Sequence, residues 1–297
     1  MTNKQSSNWL FLSSENGAEI PVACHDAVGK PVATFIMLPA LGIRGTFYRK
    51  LASGLASKGI STVIVEQRGH GESPNRPSRN DKFTIQDYLF EDIRAVVTWC
   101  NQKLPETPLY IGGHSLGGHM ASIAAGAFPD KFAGVVHMAC GFPYHGDYKK
   151  PASGFVKLVA ALIPPLTAIM GYYPGNWFKF GGREYRGLMM DWRHWALKGK
   201  YAVPGIENAD QQISVFPGRA ISIAFDYDSL ASSASIERSR KALASTTMTR
   251  LKLTEKEQGD FLGHVEWGKR PDGVVRALSE WFSADQSDAS AFNTSAA

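Results

Sequence analysis

Leu109-Tyr110-Ile111-Gly112-Gly113-His114-Ser115-Leu116-Gly117 is the stretch on which the fold turns. Leu109, Tyr110 and Ile111 read as a buried strand, and Ala121 to Ala127 read as a helix of small residues. The serine between them falls on a sharp strand-to-helix turn of the pattern Gly-x-Ser-x-Gly, a nucleophile elbow. Such a turn exposes the hydroxyl and aims backbone amides and the positive end of the helix at whatever the oxygen attacks. Its glycines let the chain close without Cβ clashes. The pattern is short and the chain carries 29 glycines, so the weight rests on the flanking strand and helix.

Working outward, strands and helices alternate from Val32 to Ala139. Val32 to Leu38 and Ser61 to Val65 are apolar runs of buried strands, and Gly134 to Ala139 is the next. Phe47 to Lys58, stopped by Gly59, and Ile85 to Gln102 read as helices. Trp9 to Ser13 and Glu19 to Cys24 flank an Asn16-Gly17 turn, a hairpin signal. This order predicts a mostly parallel sheet with helices on both faces. Alternation stops from 142 to 204 and resumes with Ala220 to Phe225, Ile236 to Leu243, Met248 to Leu253 and Val274 to Phe282. The interrupting stretch holds 13 aromatic residues in 63, about twice the chain average of 11%, and nine Lys/Arg against three Asp/Glu. An insertion after the sixth strand lies over the carboxyl ends of the strands, where open α/β sheets bind ligands. We therefore expect an α/β core of 9–141 and 205–284, an inserted helical cap of 142–204 over the site, and a disordered Ser/Ala-rich tail of 285–297. Most cap aromatics are expected to pack on one another and about a quarter to face a pocket.

Composition narrows the classes. A net charge of +5 is spread with no Lys/Arg block longer than two, which argues against nucleic-acid partners. Cys24, Cys100 and Cys140 are odd in number and far apart, so no disulfide framework is expected and a reducing, cytoplasmic setting is. Met1 to Trp9 lacks the apolar core of a signal peptide. The longest apolar run, Phe155 to Met170, is expected to be broken by Lys157 and Pro164-Pro165, so no stable membrane insertion is expected. No His-Glu-x-x-His or clustered ligand set suggests a metal, and the glycines at 112, 113, 117 and 118 do not spell a dinucleotide loop. No cofactor is expected.

Ser115 is the candidate nucleophile, with a helix-capping serine as the competing reading. A hydroxyl needs a base within hydrogen-bond reach. His264, in Gly263-His264-Val265-Glu266 beyond the last strand, is the candidate, because imidazole titrates near neutrality and this position completes the order Ser, acid, His. His114 adjoins Ser115 but should point elsewhere from a tight turn. The third member must hold the imidazole tautomer. Ile221 to Phe225 ends in Asp226-Tyr227-Asp228, and either aspartate could reach the site. An oxyanion hole needs two N–H donors. Leu116, after the nucleophile, should supply one, and Leu41, in the loop Pro39-Ala40-Leu41-Gly42, the other. Arg68-Gly69-His70-Gly71-Glu72-Ser73 is read as a structural turn near the elbow.

These pieces together resemble the α/β-hydrolase superfamily, over roughly Val32 to Phe282 apart from the cap. The marks are Gly-His-Ser-Leu-Gly-Gly at 113–118, Arg-Gly-His-Gly-Glu-Ser at 68–73, the aspartates at 226 and 228, and Gly-His at 263–264. Within it, the chain is similar to monoacylglycerol-lipase-like and serine-aminopeptidase-like hydrolases, among them a bacterial group with Leu-Pro-Ala-Leu-Gly and Phe-Gly-Gly-Arg-Glu, here 38–42 and 180–184. Many relatives have His-Gly where this chain has Pro39-Ala40. The resemblance favours Asp228 over Asp226, because Ser229-Leu230-Ala231 after it looks like the loop that follows the acid. It implies cofactor-free cleavage of a small-molecule ester, amide or thioester through an acyl-enzyme. An ester with an apolar part is the expected substrate, with peptidase, acyltransferase and non-catalytic binding readings as alternatives.

Overall fold

The computed structural model describes the backbone of residues 9–294, and side chains through 284. Strands β1 (Trp9–Ser13) and β2 (Glu19–His25) form the expected hairpin, with Gly17 at φ +80° in its turn. Then come β3 (Ala33–Leu38), α1 (Arg49–Ala56) and β4 (Ile60–Val65). The predicted helix at 85–102 is one rod in three parts, α2 (Ile85–Asp87), a π-helical stretch Tyr88–Ile93 and α3 (Arg94–Lys103). Thr84 caps it, its hydroxyl accepting from Asp87 N–H while the Asp87 carboxylate accepts from Thr84 N–H. β5 (Leu109–His114), α4 (Leu116–Ala127) and β6 (Gly134–Met138) complete the first half.

The interruption forms α5 (Ala152–Met170), β7 (Tyr172–Pro174), β8 (Arg183–Tyr185) and α6 (Arg186–Lys198). The small antiparallel β7–β8 ribbon adds to the helical cap the sequence implied. The core resumes through α7 (Ala209–Ser214), β9 (Arg219–Phe225), α8 (Ser233–Ala242), β10 (Thr247–Leu253), α9 (Glu255–Gln258) and α10 (Asp272–Thr294).

Eight strands lie in the order β1-β2-β4-β3-β5-β6-β9-β10. The six from β4 to β10 are parallel, and β1 and β2 run antiparallel at one edge. Alternate side chains of β3 serve two cores. Ile36 and Leu38 pack with α3 and α4, while Phe35 and Met37 pack with α1 and α10. Strand β3 is also where the winding reverses, since the chain passes from it to β4 on one side and then to β5 on the other. Leu38 pairs with Gly113, so the loops leaving β3 and β5 emerge side by side at the crevice where such sheets bind ligands.

Two sequence expectations are corrected. Pro164 and Pro165 do not break α5, which runs through them. A proline at 164 removes the N–H that would bond the Ala160 carbonyl, and Arg193 Nε of α6 donates to that oxygen at 2.9 Å instead. The resulting helix is, among the described residues, the one long and apolar enough to cross a membrane by length and composition. The tail expected to be disordered from 285 instead continues α10 through Thr294, and 295–297 lie outside the described residues. Extending an existing helix avoids the cost of nucleation, which the composition of the segment alone does not reveal.

The elbow is sterically fixed. A Cβ at Gly113 would lie 2.4 Å from the Leu38 carbonyl oxygen, and one at Gly117 would lie 2.1 Å from it. Both partners are backbone, which cannot swing aside. Gly117→Ala should therefore lower stability by about 3 kcal/mol through overpacking, read as a drop in the urea midpoint with unchanged slope, whereas Gly154→Ala, with open space around it, should change little.

Candidate active site

Ser115 sits at φ 52° and ψ −113°, in the left-handed half of backbone space that a side chain rarely adopts. The turn is held from both sides: Ser115 N–H donates to the Met138 carbonyl of β6 at 2.9 Å, and Gly118 N–H donates to the Ser115 carbonyl at 3.0 Å. The side chain lines a cavity of about 390 Å³ shared by Leu41, Leu116 and His264. Among the described residues, neither the Leu41 nor the Leu116 N–H donates to a protein acceptor.

The two aspartates go to different places. Asp226 N–H extends the β9–β10 ladder to the Leu253 carbonyl, and its carboxylate meets Lys252 Nζ near the surface. Asp228 is buried behind the cavity, both carboxylate oxygens 2.9 Å from His264 Nδ1. Its Oδ1 also accepts from the N–H groups of Leu230 and Ala231, each at 2.9 Å. The loop after β9 thus folds around the carboxylate and fixes it before any substrate arrives. His264 Nδ1–H donates to this acid, which leaves Nε2 as the free ring nitrogen. No hydrogen bond joins Ser115 Oγ to the imidazole among the described residues, although both form the same cavity wall. Such contacts commonly tighten only with substrate bound. Trp267, stacked 5.6 Å from Phe225 and anchored by Gln258 Nε2 on its carbonyl, holds the following turn.

His114, as expected, turns away from Ser115. Its Nδ1 lies 2.9 Å from the Tyr48 hydroxyl, which also accepts from the Ala40 N–H at 2.9 Å. The hydroxyl therefore gives its own proton to Nδ1, and the His114 proton is on Nε2. That nitrogen faces the His264 backbone as its polar neighbour, and the ring lies 5.1 Å from the His264 ring. Complete burial, then the neighbouring His264, hold His114 far below the usual imidazole range. Burial likewise pushes His119 down to about 4 and His137 down to about 3. These rings are neutral hydrogen-bonding parts, His119 with Tyr201 and the Gly141 carbonyl, His137 with Ser122.

His70 of the Arg-Gly-His-Gly-Glu-Ser turn bonds the cap, its Nε2 3.0 Å from Glu184 Oε2 in a buried pair. Burial opposes its charge, but the Glu184 charge and hydrogen bond and the Glu66 charge outweigh burial and nearby Arg76, raising its pKa above 6.5. Tyr48 and Glu184 were not anticipated from sequence. Each acts across a long separation in the chain, and the sole local hint was the glycine-rich stretch at 180–184.

Four of the cap's aromatics, Tyr148, Phe155, Phe180 and Trp192, line the cavity. Among the described residues, no Asp or Glu lines it and Lys179 is its one Lys or Arg. No group of three or more His, Cys, Asp or Glu side chains that could hold a metal occurs among the described residues.

The parallel sheet order and the strand-to-helix elbow are those of an α/β-hydrolase. The chain belongs to the serine aminopeptidase S33 family (Hydrolase_4), whose description matches residues 29–179. It is 26% identical over 110 residues to the monoglyceride lipase of Homo sapiens, covering 36% of this chain and 35% of that one. The chain spans 9% to 35% of the lengths of the curated relatives it matches. Among solved structures it resembles the monoacylglycerol lipase of Paleococcus ferrophilus (TM-score 0.61, 18% identity, covering 90% of this chain and 99% of that one). It also resembles a thermophilic esterase of Thermogutta terrifontis (TM-score 0.62, 13% identity, covering 93% and 98%). At these identities the structural likeness is one of fold.

Two outcomes follow from the buried polar groups. Tyr48→Phe should cost about 2 kcal/mol, because it strands the Ala40 N–H and His114 Nδ1 together, read by chemical denaturation. The His70–Glu184 pair raises a folded-state pKa, so its contribution is full below pH 6.5 and is lost as pH rises through the folded pKa. The stability gap between wild type and Glu184→Gln should be largest at pH 6 and shrink toward pH 9, measured by thermal melting across that range.

Proposed function

We propose that the protein is a serine hydrolase that cleaves a carboxylic ester through an acyl-enzyme. The observation that carries this reading is the Asp228–His264 Nδ1 bond behind a cavity whose wall presents Ser115 on a strained elbow. His264 Nε2 takes the Ser115 proton as Oγ attacks the carbonyl carbon. The N–H groups of Leu41 and Leu116 receive the negative oxygen, and Asp228 steadies the imidazolium. His264 returns the proton to the departing alcohol. It then draws one from water, which attacks the acyl carbon, and protonates Ser115 as the acid leaves. Residues 142–204 act as the cap, with its aromatics receiving an apolar acyl or alcohol part.

An aminopeptidase would need a negative group to hold the free amine of its substrate. The cavity wall offers none among its described residues and presents Lys179 instead, which favours an ester.

A fluorophosphonate probe should label wild type and leave Ser115→Ala unlabelled. Persistent labelling of the mutant would move the nucleophile elsewhere. With p-nitrophenyl esters, Asp228→Asn should lower kcat by about 10⁴-fold, as loss of a triad acid does, while Asp226→Asn should stay within about twofold of wild type because its partner is a surface lysine. Faster turnover of aminoacyl anilides than of esters would overturn the substrate class.

A further inference from the structure

The loop after β3 is held from below and from above. Below, the Ala40 N–H is fixed by Tyr48. Above lies cap backbone with no room between. A Cβ on Gly42, whose φ is +77°, would sit 2.6 Å from both Gly181 C and Gly182 N. A Cβ on Gly181 would come within 3.1 Å of Leu41 Cδ2. Main chain therefore lies on main chain beside Leu41, the residue read above as an oxyanion donor.

Among the bonds that hold that cap backbone, the one that ties it to the core turn after β4 runs through a buried carboxylate. Glu184 Oε1 accepts from the Gly182 N–H at 2.6 Å, and its Oε2 meets His70 Nε2 at 3.0 Å. The Gly182 carbonyl in turn accepts from the Gly175 N–H at 2.6 Å, which closes the loop of cap residues on itself. The His70 ring also abuts Gly182, where an added Cβ would lie 2.8 Å from Cε1. Glu184 does not line the cavity, so its effect on a substrate must pass through backbone. The carboxylate thus joins the turn after β4 to the segment pressed on Gly42.

We propose that Glu184 is a positioning residue for the oxyanion loop: bonded to Gly182 and His70, it locks the Gly181–Gly182 backbone over Gly42 and so sets the direction of the Leu41 N–H. The inference rests on the ester-hydrolase reading above. A donor is useful in the transition state only if it already points at the site where charge develops. Among the described residues the Leu41 N–H has no protein acceptor to orient it, so its direction depends on its neighbours.

The test is steady-state hydrolysis of p-nitrophenyl butyrate by the full chain, with thermal melting as the check on folding. Glu184→Ala should lower kcat by about 10- to 100-fold, part of what removing an oxyanion donor costs, with KM within about twofold. Glu184→Gln keeps an oxygen for the Gly182 N–H and an amide for neutral His70, and should restore most of kcat. His70→Ala, which frees one carboxylate oxygen and leaves the Gly182 bond, should give an intermediate loss and serves if Glu184→Ala does not fold. A folded Glu184→Ala with wild-type kcat would overturn the proposal, as would a loss confined to KM or a Gln variant as impaired as Ala. Wild type that neither hydrolyses esters nor labels at Ser115 would instead remove the hydrolase reading, and the proposal with it.

Discussion

The contact between the Leu38 carbonyl and two glycines of the elbow, Gly113 and Gly117, is the constraint on which the site depends. It exists because β3 and β5 are neighbours and parallel, so their carboxyl ends leave the sheet together. Any side chain at either glycine would push the elbow from the end of β3. The proposed nucleophile and the proposed oxyanion loop would then separate, since one is carried by the strand that would move and the other by the strand that would stay. The sheet thus does more than support the site. Its register sets the distance between the elbow and the loop after β3.

The cap is joined to this core by polar bonds as well as apolar packing. Ser232 Oγ donates to the Asp147 carbonyl, and the Arg238 guanidinium pairs with the Asp147 carboxylate at one end of the cap. His70 and Glu184 join it to the turn after β4. Arg193 of α6 serves the proline-freed carbonyl in α5, so the two long cap helices are tied to each other. Each of these bonds is directional, whereas Phe155 and Phe180, which face the cavity, carry no polar atom and can shift rotamer without breaking one. The arrangement combines a fixed frame with an adaptable apolar lining.

Much of this was legible in the sequence. The alternation of apolar strands and helices gave the sheet, because it depends on periodicities within a dozen residues, and the expectation of an insertion from 142 rests on where that alternation stops. The elbow was legible for the same reason, being a local turn with its own residue demands. What was hidden depends on pairs far apart in the chain. Pro164-Pro165 looked like a break because the donor that rescues the helix is Arg193. The tail looked structureless because its helix is inherited from the preceding turns of α10. Asp226 and Asp228 could be ranked only by resemblance, since the sequence does not say that Lys252 on the neighbouring strand will take the first.

The eight histidines show how burial assigns roles that residue type leaves open. An imidazole can act as a base near neutrality only if it can carry a proton there and give it up. His114, His119 and His137 cannot carry one, since desolvation holds each of them neutral. His70 carries one readily, but its Nε2 is occupied by Glu184 and lies under the cap. His119 also borders the cavity, but Tyr201 and the Gly141 carbonyl take both of its ring nitrogens, whereas His264 borders it with a buried carboxylate on Nδ1, so that Nε2 stays available. Proximity in sequence would have chosen His114, beside the serine. Solvation and hydrogen bonding favour the ring 149 positions away, because a base needs room for its proton more than it needs a neighbouring place in the chain.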